Sequence, residues 1–233
     1  MSDTPHINQP GGPLRASEHP NIAGRERELR SLADAIRRLT ASTVTFTASA
    51  ADTQSFADEL DGIAERLERY VPDEIPPRYA GNPKHPEPHD FFQYDVMLGL
   101  YNPLALPIRM SWEEPRAIGR ACFTTPYEGP PGCVHGAVIA AAFDQVFNVA
   151  HLMAGSAGPT AELTIRYRHP TPLHADLVFE AHIEAVEGRK IRSVGSVRSG
   201  DEVTVEATGL FIAIDPERSM NLRLGNDRDA AGE

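Results

Sequence analysis

The sequence predicts an α+β domain in which one long, almost wholly apolar helix is wrapped by a single antiparallel sheet, with a helical extension ahead of it. Three observations predict this. An apolar helical run extends from Val134 to about Leu152; four segments after it are rich in Val, Ile, Thr and Phe; and the helical periodicity of the first third gives way near residue 90 to strand-like segments.

In chain order, residues 1–23 are polar and rich in Pro and Gly, and are expected to be disordered. They lack the basic and apolar blocks of a secretory signal. From 24 to 71 the pattern is helical. Leu29, Leu32, Ala33, Ile36 and Leu39 fall at three- and four-residue steps, and Phe56, Leu60, Ile63, Leu67 and Tyr70 form a second stripe among acidic residues. Two amphipathic helices of this length cannot bury their stripes alone; they need each other, the main domain or a partner chain. A helical hairpin packed against a dimer of the chain or over its ligand channel is one expectation, a plain solubilising or partner-docking appendage the other. Residues 72–89 contain six prolines and read as a linker or an extended strap. The main domain is set at 90–218, followed by a polar tail at 219–233.

Within the main domain, Leu104–Trp112 and Ala117–Thr125 read as strands, and GPPG at 129–132 as a turn leading into the helix. Ala161–Tyr167, Leu177–Val186, Lys190–Arg198 and Glu202–Ile214 are the later strands, the last three paired as a meander across Gly188 and Gly200–Asp201. Val138, Ile139, Phe143, Val146 and Phe147 leave the helix nearly apolar all round, and the three alanines at 140–142 permit close approach of another backbone. One carboxylate, Asp144, sits in it, and a carboxylate on such a helix is paired, hydrogen-bonded or functional.

Charge and cysteine usage narrow the function classes. A net charge of −11 argues against general nucleic-acid binding, which needs a basic face. It leaves room for a polyphosphate held by a local cluster, and the C-terminal half carries Arg166, Arg168, His169, Arg189, Lys190, Arg192 and Arg198. Cys122 and Cys133 are too few for a disulfide framework, and the histidines show no metal-ligand spacing. Polar residues interrupt the most apolar run, so no membrane span is expected, and a cytoplasmic enzyme is the default.

The stretch GPPGCVHGAVIAAAFDQ, followed by TAELTIRYRHPTPL, EGRK at 187–190 and EATGLFIAI at 206–214, resembles the hotdog-fold acyl-CoA thioesterases, in particular their phenylacetate-pathway-type and THEM-type branch. The resemblance spans about residues 95–215 and rests on the order and spacing of four segments. It implies a hotdog fold and hydrolysis of acyl-CoA without metal or redox cofactor. It also implies that Gly136 offers its backbone N–H to the thioester carbonyl and that Asp144 is general base or nucleophile. Thr160 would help place the attacking water, and His135 would assist polarisation or hold the loop before the helix. The family's second glycine is Ala137 here, where its methyl bears on substrate binding.

Elementary chemistry agrees with that assignment. A helix N-terminus offers free N–H donors and the positive end of a dipole to a developing oxyanion. Water needs a carboxylate to take its proton, unless the carboxylate attacks directly. Eight residues separate Gly136 from Asp144, about 12 Å along a helix, too far for one thioester carbon to reach both groups. Two antiparallel helices across a two-fold axis would bring Gly136 of one chain to Asp144 of the other, so a homodimer or dimer of dimers with sites at the interface is expected.

Other readings stand beside these. Asp144 could pair with an arginine, His135 could merely cap, and Thr160 could be an ordinary strand residue. Asn148 and His151 either line the acyl pocket or cap the end of the helix, and Cys133 reads as a small buried residue. The CoA nucleotide is expected near Arg168, His169, Arg189 or Lys190, which would meet an acidic partner if the thioester were carried by an acyl carrier protein. A non-catalytic acyl-CoA-binding protein on the same fold is the competing class.

Overall fold

The computed structural model describes residues 19, 21–73, 88–156 and 158–214. Most of the N-terminal segment and most of the Pro-rich segment, read above as disordered and linking, lie outside the described residues, as do the last residues of the main domain from 215 and the polar tail at 219–233. Helix α1 (Glu26–Thr43) and helix α2 (Ala50–Glu68) come first. The main domain follows as strands β1 (Ile108–Glu113) and β2 (Arg116–Ala121), helix α3 (Gly136–Met153), then β3 (Thr160–Tyr167), β4 (Leu177–Glu187), β5 (Lys190–Ser199) and β6 (Glu202–Ile212).

All neighbours in the sheet are antiparallel, in the order β1-β2-β4-β5-β6-β3, so that β4, β5 and β6 form the expected meander and β3 lies on a free edge beside β6. Two expected strands are shorter than read. The chain before β1 turns at Asn102–Ala105 and leaves Leu104 exposed. After Ala121 the chain leaves the sheet for a 3-10 turn at Thr125–Tyr127, with Pro126 at its start. The helix begins at Gly136 rather than Val134, because the Val134 N–H goes to the Thr171 carbonyl.

Helix α3 packs on one face of the sheet through rings. Phe143 and Phe147 meet Phe179 of β4 and Phe211 of β6 edge-on, at centroid distances of 5.4 and 5.8 Å, and all four are fully buried. The sheet lacks side chains where the rings press closest. A Cβ on Gly195 would come within 3.2 Å of both Phe143 and Phe147. Truncating any of these rings to Ala would cost about 3–5 kcal/mol. The same packing explains the composition of α3, which is apolar and long enough to cross a membrane yet is the core helix of this sheet.

Strand β3 carries a β-bulge between Thr160 and Glu162. Thr160 stands opposite Phe211, and beyond the extra residue Leu163, Ile165 and Tyr167 stand opposite Gly209, Ala207 and Val205. The bulge therefore puts Thr160 and Tyr167, at the two ends of β3, on the face that α3 covers.

Ahead of the sheet, within the segment expected to be disordered, His19 and Ile22 are buried, with His19 edge-on to Tyr94. Helix α1 docks on the main domain, where Arg37 donates to the carbonyls of Asn102 (2.5 Å) and Gly99 (3.2 Å) and pairs with Asp34. Helix α2 starts on a Ser49 cap that accepts from the Asp52 N–H, and it buries no residue. Its stripe of Phe56, Ile63 and Leu67 is exposed in the single chain.

Candidate active site

The site is built on the first two and a half turns of α3 and on the edge strand β3. His135 is the N-cap: its ring Nδ1 accepts from the Ala137 N–H at 3.0 Å, and its carbonyl takes the N–H groups of Val138 and Ile139. Because Nδ1 accepts, the ring proton sits on Nε2, and the exposed ring turns a donor outward. His135 is therefore a cap first. These bonds account for three of the four N–H groups of the first helical turn, and among the described residues the Gly136 N–H has no partner. The donor assigned to the carbonyl is the one left open.

Asp144 lies two turns further along and is half-buried, with its Oδ1 accepting the Thr160 hydroxyl at 2.5 Å. No cation pairs with it among the described residues, so the reading of Asp144 as half of an ion pair is set aside. Thr160, expected to help place the attacking water, donates its hydroxyl to this carboxylate. Ala137, Ala140, Ala141, Asp144 and Asn148 recur at helical spacing on the side of α3 that its own sheet leaves open: Ala137 is exposed and the others are half-covered.

Two other expectations change. His151 neither lines this face nor caps the helix end. It is fully buried, with Nε2 2.7 Å from the Ser193 hydroxyl and its ring edge-on to Phe211. Burial pulls its pKa down to about 4, so it is neutral at physiological pH. Cys133 is half-buried, with its thiol directed at the Pro131 carbonyl 3.6 Å away.

The four basic residues expected near the nucleotide form two pairs. Arg168 is held by Glu206 at 2.7 Å, and His169 lies 3.5 Å from Glu202, both just past the Tyr167 end of β3. Arg189 donates to the Ala213 carbonyl, and Lys190 starts β5 level with the Thr160 end. The pairs are about 25 Å apart along the strand direction, so within one chain they do not form one cluster. One residue of the site went unread in the sequence. Tyr167 donates its hydroxyl to the Gly136 carbonyl at 2.8 Å and packs against the Cα of that glycine.

Comparison with known proteins fits this arrangement. The sequence profile of the thioesterase superfamily matches residues 131–206, the span from the turn before α3 into β6. A crystal structure of a thioesterase superfamily protein superposes with a TM-score of 0.70 at 32% identity, covering 79% of this chain and 94% of that one. This chain belongs to the thioesterase superfamily. Among curated thioesterases, the bovine (Bos taurus) acyl-coenzyme A thioesterase THEM4 is 41% identical over 97 residues, 40% of this chain and 40% of that protein. The human (Homo sapiens) acyl-coenzyme A thioesterase THEM5 is 32% identical over 92 residues, 39% of this chain and 37% of that protein. The chain thus matches about two fifths of the length of these curated relatives. As a superfamily member it has the hotdog architecture expected of it, a long helix wrapped by an antiparallel sheet.

Proposed function

We propose that this protein hydrolyses acyl-CoA thioesters to the free acid and CoA, with sites shared between two copies of the chain. The observation that carries the proposal is the pairing, on one open helix face, of an unpartnered N–H at Gly136 with a carboxylate at Asp144 held by Thr160. The names of the curated relatives support the substrate class.

In this reading the thioester carbonyl oxygen accepts from the Gly136 N–H, where the helix dipole also favours negative charge. Asp144 takes a proton from water as the water oxygen attacks the carbonyl carbon. The tetrahedral intermediate collapses, the C–S bond breaks, and the proton on Asp144 passes to the departing thiolate. The alternative is direct attack by the carboxylate through an anhydride that water then opens. Gly136 and Asp144 are separated by about 12 Å of helix, so each centre takes its glycine from one copy and its aspartate from the other. The small-residue stripe of α3 suits close approach of a second helix, and the free edge of β3 suits pairing with a second sheet. An antiparallel partner would also bring Arg168 and His169 of one copy towards Arg189 and Lys190 of the other, a combined basic rim for the CoA phosphates. The exposed stripe of α2 is read as an arm that packs against the assembled dimer or over its acyl channel.

The test is free-thiol release from short, medium, long and aromatic acyl-CoAs by wild type and Asp144→Asn. Turnover that collapses in a folded variant supports the proposal; wild type that binds acyl-CoA without turnover points to a binding protein instead.

A further inference from the structure

Glycine is the softest residue of the backbone, and the first residue of a helix is where helices fray. An oxyanion donor must instead be held in its direction before the reaction, because reorganisation during the reaction costs rate. The Gly136 N–H is thus a donor on the least rigid kind of residue, at the least rigid part of a helix. The structure shows what holds it. The peptide plane before Gly136 is fixed by the His135 carbonyl, which accepts from Val138 and Ile139. The plane after it is fixed at both ends: its N–H, that of Ala137, goes to the His135 ring at 3.0 Å, and its carbonyl accepts the Tyr167 hydroxyl at 2.8 Å.

We propose that Tyr167 is a positioning residue for the reaction: through its hydrogen bond to the Gly136 carbonyl it holds the peptide plane after the glycine, and so limits the rotation at Gly136 that would turn its N–H away from the substrate. The inference rests on the reading of Gly136 as the carbonyl-polarising donor. Two further observations fit it. A Cβ on residue 136 would lie 3.0 Å from the Tyr167 hydroxyl and 3.2 Å from its ring, so a side chain there would press on the tyrosine and shift it by a few tenths of an ångström. Tyr167 is also 54% exposed, on an edge strand where water is at hand, yet its hydroxyl is directed at a backbone carbonyl. Desolvation raises its pKa, which keeps the hydroxyl protonated as a donor.

The decisive variant is Tyr167→Phe, which removes one oxygen and leaves the ring. The expected result is a kcat lowered about three- to tenfold, the scale of one hydrogen bond, with KM and the unfolding midpoint unchanged. A second readout does not need turnover. The carbonyl stretch of a bound ketone analogue of acyl-CoA, with CH2 in place of sulfur, should lie closer to its free value in Tyr167→Phe than in wild type. A cycle with Gly136→Ala adds a third, because the alanine methyl presses on the tyrosine hydroxyl and weakens its bond to the carbonyl. Adding Tyr167→Phe to Gly136→Ala should then cost less than it does alone. Unchanged kcat and carbonyl stretch in Tyr167→Phe, or a loss confined to KM or to stability, overturns the assignment. A wild type that binds the analogue with a shifted carbonyl but hydrolyses nothing overturns the thioesterase reading and leaves the positioning role standing.

Discussion

The Thr160 hydroxyl donates to Oδ1 of Asp144 across 2.5 Å, tying the middle of α3 to the first residue of β3. The bond joins residues 16 apart in sequence, leaves Oδ2 for other work, and fixes the carboxylate on the face of the helix that the sheet leaves open. Removing it separates positioning from chemistry. Thr160→Ser keeps the donor and should retain most of the wild-type kcat. Thr160→Val should lower kcat about tenfold, the scale of one hydrogen bond to a charged group, whereas Asp144→Asn should lower it at least about a hundredfold. Steady-state kinetics on one acyl-CoA orders the three; a Thr160→Val enzyme as fast as wild type would remove threonine from the site.

Shared centres make a prediction that single-chain centres do not. Asp144→Asn and Gly136→Pro, which takes away the N–H donor at a helix position that accepts proline, should each be nearly inactive as pure proteins. Mixed, unfolded and refolded together in equal amounts, they should recover about a quarter of wild-type activity, because half the pairs are mixed and each mixed pair holds one intact centre. Absence of recovery in a mixture shown by mass spectrometry to contain mixed pairs would place each centre within one chain.

His135 caps α3, and the cap can be replaced. His135→Ala should cost about 1 kcal/mol of stability, and His135→Asn, which also caps well, should restore it. If Asn restores kcat as well, the imidazole acts only as a cap. If stability returns while kcat does not, the outward Nε2–H also assists the substrate carbonyl. Thermal unfolding and kinetics on the same preparations decide between the two.

The buried His151 couples stability to pH. It is neutral in the folded protein, with a pKa lowered from 6.5 to about 4 by burial, so between those values the unfolded chain binds a proton that the folded chain does not. Stability attributable to this residue is therefore unaffected above pH 6.5 and falls as the pH drops towards 4, by about 3 kcal/mol over the window. Urea unfolding at pH 7 and pH 4.5 should show the fall in wild type and a smaller one in His151→Leu. Parallel pH profiles in the two proteins would contradict it.

The exposed stripe of α2 gives a prediction about assembly. Replacing Phe56, Ile63 and Leu67 together by Ser should leave the sheet domain folded, since none of the three is buried in the chain itself. It should shift the oligomeric state or the substrate profile, as should deletion of residues 1–71. Light scattering and the acyl-CoA panel unchanged in both variants would reduce the helices to an appendage.

How much of this was legible in the sequence differs from element to element. Helix α3 and the meander of β4, β5 and β6 were readable because apolar periodicity and glycine turns are local signals. The ends of β1 and β2 were not, since tertiary packing and the turn at Pro126 set them. Asp144 stood out as a lone carboxylate on an apolar helix, and Gly136 and Thr160 followed from the resemblance. Tyr167 could not be found by alternation. Counted in steps of two from Thr160, it falls on the opposite face, and only the extra residue of the bulge brings it back. His151 was misread because its partner, Ser193, lies 42 residues away on β5.

That extra residue gives β3 a strict length requirement. A loop tolerates the loss of one residue by tightening, whereas a strand that slides by one turns its side chains to the other face. Here the count between Thr160 and Tyr167 decides whether the carboxylate and the helix N-terminus are served from the same side. Removing Ala161 would let the ladder with β6 close without a break, and the chain could remain folded and soluble. It could then keep its hold on Asp144 or its hold on Gly136, but not both, so a shortening by one residue here would act on chemistry rather than on stability.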